Sequence, residues 1–194
     1  MPNWCDNTVT IKGPAEKVSQ IYEELKTTDN GLCSILYPPP ADMFKGNLGQ
    51  DERKECEEKG IPNWYDWQSS NWGTKWDTCD GDWQYEEAGD GEGILTGSFQ
   101  TAWAPPIGAY ENAPEDLYIY GMYYEPGCAF AGIWESGVGE DHYSLEGSKQ
   151  SLEDELPEEL NDAFGITECM EEEPEELTEW LKEGVEGKKE AVGV

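Results

Sequence analysis

The sequence predicts an α+β fold: an antiparallel sheet with helices on one face, a long aromatic-rich insertion, and an acidic helical extension at the C-terminal end. Three observations carry this. Apolar residues alternate along several short stretches of residues 1–150, which is the period of half-buried strands. Two stretches between them repeat apolar residues at helical spacing. The acid is unevenly placed: residues 151–194 hold 16 of the 43 Asp and Glu but only 3 of the 12 Lys and Arg, a net of −13.

The first strand is expected at Asn7–Lys12, where Val9 and Ile11 point one way and Thr8, Thr10 and Lys12 the other. Gly13-Pro14 punctuates it, with Pro14 suited to the first helical position. Val18, Ile21, Tyr22 and Leu25 follow at i, i+3, i+4, i+7, the buried stripe of a three-turn helix that Asp29-Asn30-Gly31 closes. Leu32–Tyr37 reads as a short extended run ending in three prolines. The insertion, 38–80, carries a short helix around Gln50–Lys59, one helical turn at Trp64–Trp67, and a loop at Asn71–Trp76 around Gly73. Asp80–Glu87 and Ile94–Trp103 read as two strands joined by a Gly/Asp-rich turn, with Leu95, Gly97, Phe99, Thr101 and Trp103 sharing a face. Pro105-Pro106 starts a helix ending near Pro114. Leu117–Tyr124 and Cys128–Trp134 are strands linked by the turn Glu125-Pro126-Gly127.

Strand–helix–strand–strand–helix–strand is the split-βαβ, ferredoxin-like series, here with one further strand. The extension, 151–194, carries two helical signals and packs on or flanks this domain. Leu156, Leu160 and Phe164 form one apolar stripe, with Pro157 suiting the helix start and Gly165 its stop. Pro174–Leu181 is the second, with acids at its positive end.

Composition excludes several functions. The formal net charge is −31. Binding of DNA or RNA requires a basic footprint, and an anionic membrane repels such a chain. No apolar run approaches the ~18–20 residues of a membrane span, and MPNWCDN does not read as a signal peptide, so a cytoplasmic protein is expected. Nine Trp, ten Tyr and four Phe argue against disorder, since acidic disordered chains are aromatic-poor. Eleven of the twelve basic residues are Lys, which fits poorly with adaptation to high salt. Six cysteines lack any CxxC pair and accompany one histidine, so neither a zinc site of the common kinds nor any cofactor is expected, and the thiols read as free.

Four ordered strings carry a family resemblance: Asn3-Trp4-Cys5-Asp6-Asn7; Trp67 with Asn71-Trp72-Gly73-Thr74-Lys75-Trp76-Asp77; Phe99-Gln100-Thr101-Ala102-Trp103-Ala104-Pro105-Pro106; and Tyr124-Glu125-Pro126-Gly127 running to Phe130-Ala131-Gly132. Over roughly residues 1–165 the chain resembles the YubB-type ferredoxin-like family of bacteriophages and conjugative plasmids. The resemblance implies the ferredoxin-like fold and a mobile-element origin. It implies no reaction.

Two surfaces are candidates for function. Asn71, Trp72, Lys75, Trp76, Asp77, Trp103 and Glu125 would form a pocket that stacks a planar ligand, with Lys75 meeting an anionic group. The competing reading has the tryptophans packed over the sheet and Asn71 and Lys75 fixing the insertion. His142 has no nucleophile partner in sequence, and Asp77, Asp80 and Asp82 miss the calcium-loop spacing. The second surface is the acid: Glu153, Asp154, Glu155, Glu158, Glu159, Glu171, Glu172, Glu173, Glu175 and Glu176. Duplex DNA carries one charge per ~1.7 Å, so 31 charges match roughly 50 Å of duplex. A folded chain of this length is roughly 40 Å across. The leading expectation is a non-enzymatic inhibitor or adaptor that binds a basic, nucleic-acid-binding host protein by mimicking DNA. The alternatives are a nucleotide or small-ligand domain, extending to a weak enzyme, and an accessory phage structural protein.

Overall fold

In β1 (Trp4–Pro14) Cys5, Asn7, Val9 and Ile11 are buried, while the intervening Asp6, Thr8 and Thr10 are half-exposed. That alternation sets the register of the whole sheet, because a one-residue slip would turn every apolar side chain to water. The computed structural model describes residues 3–170 of the chain. Among them the molecule is α+β, with one six-stranded antiparallel sheet and seven helices.

The strands are β1, β2 (Cys79–Gly89), β3 (Glu92–Ala102), β4 (Tyr118–Glu125), β5 (Phe130–Glu135) and β6 (Gly139–Ser144), in the spatial order β2-β3-β1-β4-β5-β6. β1 lies at the centre, with Val9 opposite Gly97 of β3 and Gly121 of β4. Helix α1 (Ala15–Thr27) covers one face with its Val18–Ile21 stripe. The core there joins Val9, Ile11, Leu95, Phe99, Ile119 and Trp134. Each fully buried Ile or Leu contributes about 1.5–3 kcal/mol relative to exposure. The Trp83 indole stacks on Phe99, with ring centroids 5.3 Å apart, and lies flat over Gly97, where any Cβ would collide with it. Pro14 stands one position earlier than expected, as the N-cap of α1, because it is still paired with Glu92 across the sheet.

The segment ahead of the insertion departs from its sequence-based expectation, and within the insertion the turn expected at Trp64–Trp67 extends to Asn71. Leu32–Leu36 is helix α2, not an extended run. The reason is tertiary: Asp77 accepts the N–H groups of Cys33 and Ser34 at 2.9 and 3.1 Å, and Thr78 Oγ1 accepts that of Leu32 at 2.8 Å. Residues 43–46 positions downstream thus satisfy the orphan donors of a one-turn helix. α3 (Gln50–Lys59) and α4 (Trp64–Asn71) follow. Glu52 receives the Gly49 N–H, Gly60 closes α3 at φ +64°, and Asn63 caps α4 by accepting the Asp66 N–H at 3.0 Å. α5 (Ile107–Glu111) crosses from β3 to β4.

β3 ends at Ala102, so Trp103 is not on the strand face. Its φ is +76°, and its N–H turns to the Asn3 carbonyl at 2.9 Å. β6 has no counterpart in the sequence-based expectation. Its segment, Gly-Glu-Asp-His-Tyr-Ser, is polar and largely exposed, and a charged edge strand of this kind carries no apolar alternation.

The described chain divides into two units after Ser144. The second holds α6 (Lys149–Glu155), which the sequence reading did not anticipate, and α7 (Glu158–Phe164), which stops at Gly165 with φ +60°. Leu152, Leu156 and Leu160 are buried. The helix expected at Pro174–Leu181 lies outside the described residues.

Candidate functional site

The loop after α4 is fixed from below. Thr74, fully buried, donates its hydroxyl to the Ala102 carbonyl at 3.0 Å, and the Lys75 N–H reaches the same carbonyl at 3.4 Å. The Asn71 amide caps the end of α4 through the Trp67 carbonyl at 2.8 Å. Trp72 is only 1% exposed and packs with Cys33 and Ala109, its indole N–H donating to the Tyr37 carbonyl at 2.9 Å. Asp77 is committed to α2. Asn71, Trp72 and Asp77 are therefore engaged in structural contacts of the insertion.

Lys75, Trp76 and Trp103 are arranged differently. The Lys75 ammonium lies 4.6 Å from the Trp76 ring centroid and 4.7 Å from that of Trp103, with Tyr65 of α4 at 5.8 Å. Among the described residues no carboxylate lies within 4.0 Å of it. Trp76 and Trp103 are 37% and 42% exposed, which makes them two of the four exposed large apolar side chains described. Trp4 of β1 extends the cluster, its ring 5.9 Å from Trp76. Arg53 lies over Tyr65 at 4.9 Å while its Nη1 donates to both Asp66 carboxylate oxygens at 2.8 and 2.9 Å. The Asn63 amide, and then Arg53, hold the Asp66 carboxyl below its usual range.

Tyr65, Trp4 and Asn3 had not been singled out as site residues. Trp4 and Asn3 stand in the first resemblance string and Tyr65 adjoins Trp64, so a signal existed. Their convergence depends on pairing between Trp4 and Ala102 at the sheet's centre. Trp76 also borders an open cleft of about 370 Å³, walled by Ser34, Met43, Lys45, Trp64 and Gln68. A second groove of about 360 Å³ runs over the opposite face of the sheet, along Thr8, Thr10, Gln84, Thr96, Ser98 and Met122.

Glu125, fully buried at the end of β4, uses its carboxylate to accept the N–H groups of Gly127 and Cys128 at 2.8 and 2.5 Å. It closes the β4–β5 turn, and its proximity raises the exposed Cys128 thiol above its usual range. His142 stands on β6 with Nδ1 3.0 Å from the Tyr123 hydroxyl, which donates its one hydrogen to Glu140 at 2.6 Å. Burial raises Tyr123 most, with Glu140 adding to it. Cys5, Cys33 and Cys56 are buried and all six thiols are free. Among the described residues no three His, Cys, Asp or Glu side chains are grouped to hold a metal ion, and no helix is long and apolar enough to cross a membrane.

In the second unit Glu153, Asp154 and Glu155 on α6 and Glu158 and Glu159 on α7 are all exposed. Glu171, Glu172, Glu173, Glu175 and Glu176 lie outside the described residues. Four ion pairs occur among the described residues: Lys17–Asp116, Lys26–Glu23, Arg53–Asp66 and Lys59–Glu55.

The described residues thus define an α+β protein with an exposed Trp–Lys cluster on one unit and exposed acids on the other. Among solved structures, the chain is similar to protein api92 from Yersinia pseudotuberculosis, of the family DUF1281. The two are 13% identical over 76% of this chain and 100% of that one, with a TM-score of 0.43. No family model and no curated protein matches the sequence.

Proposed function

We propose that this is a non-enzymatic acidic binding protein that engages a basic, nucleic-acid-binding partner by charge mimicry of DNA, in the cytoplasm of a cell that hosts a phage or plasmid. The observation that carries the proposal is the excess of exposed acid. Against a formal −31, four ion pairs are found among the described residues, and every described acid of 153–159 faces solvent. Such a field steers a cationic partner and raises its association rate, most strongly at low salt. Supporting the ferredoxin-like assignment, and with it the YubB-type resemblance, is the order β2-β3-β1-β4, in which α1 and α5 provide the crossovers and β5 and β6 are additions.

The test titrates an arginine-rich peptide into the protein at low and high salt, with and without charge reversal of Glu153, Asp154, Glu155, Glu158 and Glu159. Binding that weakens with salt and again on charge reversal supports the proposal. Affinity indifferent to both rejects it. A second reading, a nucleotide or other planar anion beside Trp76, is favoured by the 370 Å³ cleft with Lys45 on its wall. It predicts a thermal shift with nucleotides that Lys45→Ala abolishes.

A further inference from the structure

Lys75 is a cation held between two indole rings in a protein of formal net charge −31. An ammonium or guanidinium over an indole is attracted by the ring quadrupole, and Trp is the best of the aromatic partners. Here the geometry is already occupied: the Nζ stands 4.6 and 4.7 Å from Trp76 and Trp103, with Tyr65 closing the side.

Two features go beyond what is needed to bury a lysine stem. The rings remain 37% and 42% exposed, so the faces are presented to solvent rather than covered. Trp103 is also held at φ +76°, a left-handed conformation that is a genuine outlier for a bulky residue and costs of the order of a glycine-only position. It stays there because three hydrogen bonds fix its surroundings: Trp103 N–H to Asn3, and Thr74 and Lys75 to the Ala102 carbonyl. A strained tryptophan, tied down and left exposed beside a cation, is an arrangement the core does not require.

We propose that Tyr65, Trp76 and Trp103 form an aromatic cage for a cationic side chain of the basic partner, a guanidinium or ammonium, and that Lys75 is its internal occupant in the free protein. This rests on the proposed binding of a basic partner and adds the residue-level anchor. Lys75 swings on a flexible four-carbon stem, and among the described residues no carboxylate lies within 4.0 Å to retain it, so an incoming Arg can displace it. The planar guanidinium stacks on indole and is more weakly hydrated than an ammonium, which favours the exchange. The long-range field gathers cations at the surface, and the cage selects where one of them seats.

The test uses a short peptide with a single Arg flanked by neutral residues, followed by the NMR shifts of the indole N–H groups. Lys75→Ala empties the cage and removes an intramolecular competitor, so the apparent affinity for the peptide is expected to rise about three- to tenfold. Trp103→Gly removes one wall while accepting the positive φ, and is expected to abolish the response with the remaining indole shifts native. Trp76→Ala is expected to do the same. Unchanged or weaker peptide binding in Lys75→Ala overturns the proposal, as does retained binding in Trp103→Gly. So does a saturable response to AMP that is lost with Lys75, which would make the lysine an anion ligand. The single-cation response is expected to survive charge reversal on α6 and α7. Failure of the acidic-surface reading and failure of the cage are therefore seen separately.

Discussion

Glu125 is the residue where sequence logic and structure give the most distinct consequences. A carboxylate in a pocket is a candidate acid or base, and its loss would leave stability nearly unchanged. The structure instead buries its side chain fully and makes it the acceptor for two backbone donors of an exposed turn. In Glu125→Ala both the Gly127 and Cys128 N–H groups lose their acceptor, at about 1–3 kcal/mol each. Relief of the buried charge's desolvation, and entry of water into the vacated space, offset part of this. A net destabilisation of about 2–4 kcal/mol is expected. Glu125→Gln keeps the shape but has one oxygen for two donors, and is expected to cost about 1–3 kcal/mol. Urea unfolding followed by tryptophan fluorescence measures both, with amide exchange at Gly127 and Cys128 as the local readout. If Glu125→Ala unfolds within about 0.5 kcal/mol of the parent, the carboxylate does not hold the turn.

Asp77→Ala should release the N-terminus of α2, at about 1–2 kcal/mol by analogy with lost caps, and Asp77→Asn should cost less; urea titration of the pair reads this. Gly132→Ala would place a methyl against the Tyr123 hydroxyl, so the contacts to Glu140 and His142 should be lost and stability should fall by about 1–3 kcal/mol, seen as a lowered Tm. Burial raises the Cys33 thiol well above its ordinary 9.0, so the folded state keeps a proton that the unfolded chain releases. Stability from this group is full below about pH 9 and declines as pH rises further, by up to ~1.4 kcal/mol per pH unit. A Cys33→Ala variant with an unaltered alkaline slope would contradict that. Added NaCl should raise Tm at pH 7, because it screens the self-repulsion of −31 charges.

What was legible in the sequence followed from local periodicity. Val9 and Ile11 gave β1, Val18 and Ile21 gave α1, and Gly/Pro punctuation placed the turns, because each signal is contained within its own segment. The failures share a cause. α2 exists because Asp77 and Thr78 reach back to its donors, which no window around Leu32–Tyr37 contains. Trp103 leaves the strand because Asn3 and Thr74 capture the backbone on either side of it. β6 is polar and marginal, and pairs because β5 offers an open edge. The candidate site divides in the same way. The density of tryptophan between 64 and 76 marked the region, but which indoles are core and which are surface was decided by long-range packing.

That division gives the charge and the aromatics separable roles. An electrostatic surface acts over about a Debye length, ~8 Å at physiological ionic strength, and chiefly changes how fast a partner arrives. An aromatic cage acts only on contact, and hot spots of Trp and Tyr chiefly change how slowly a partner leaves. In the proposed complex, charge reversal at Glu153–Glu159 should therefore lower the association rate and flatten its salt dependence. Trp103→Gly should leave that rate nearly unchanged and raise the dissociation rate. Stopped-flow measurements on the same basic peptide resolve the two. If both variants act on the association rate alone, the indoles are bystanders beside an acidic surface, and Lys75 between them is an ordinary surface lysine.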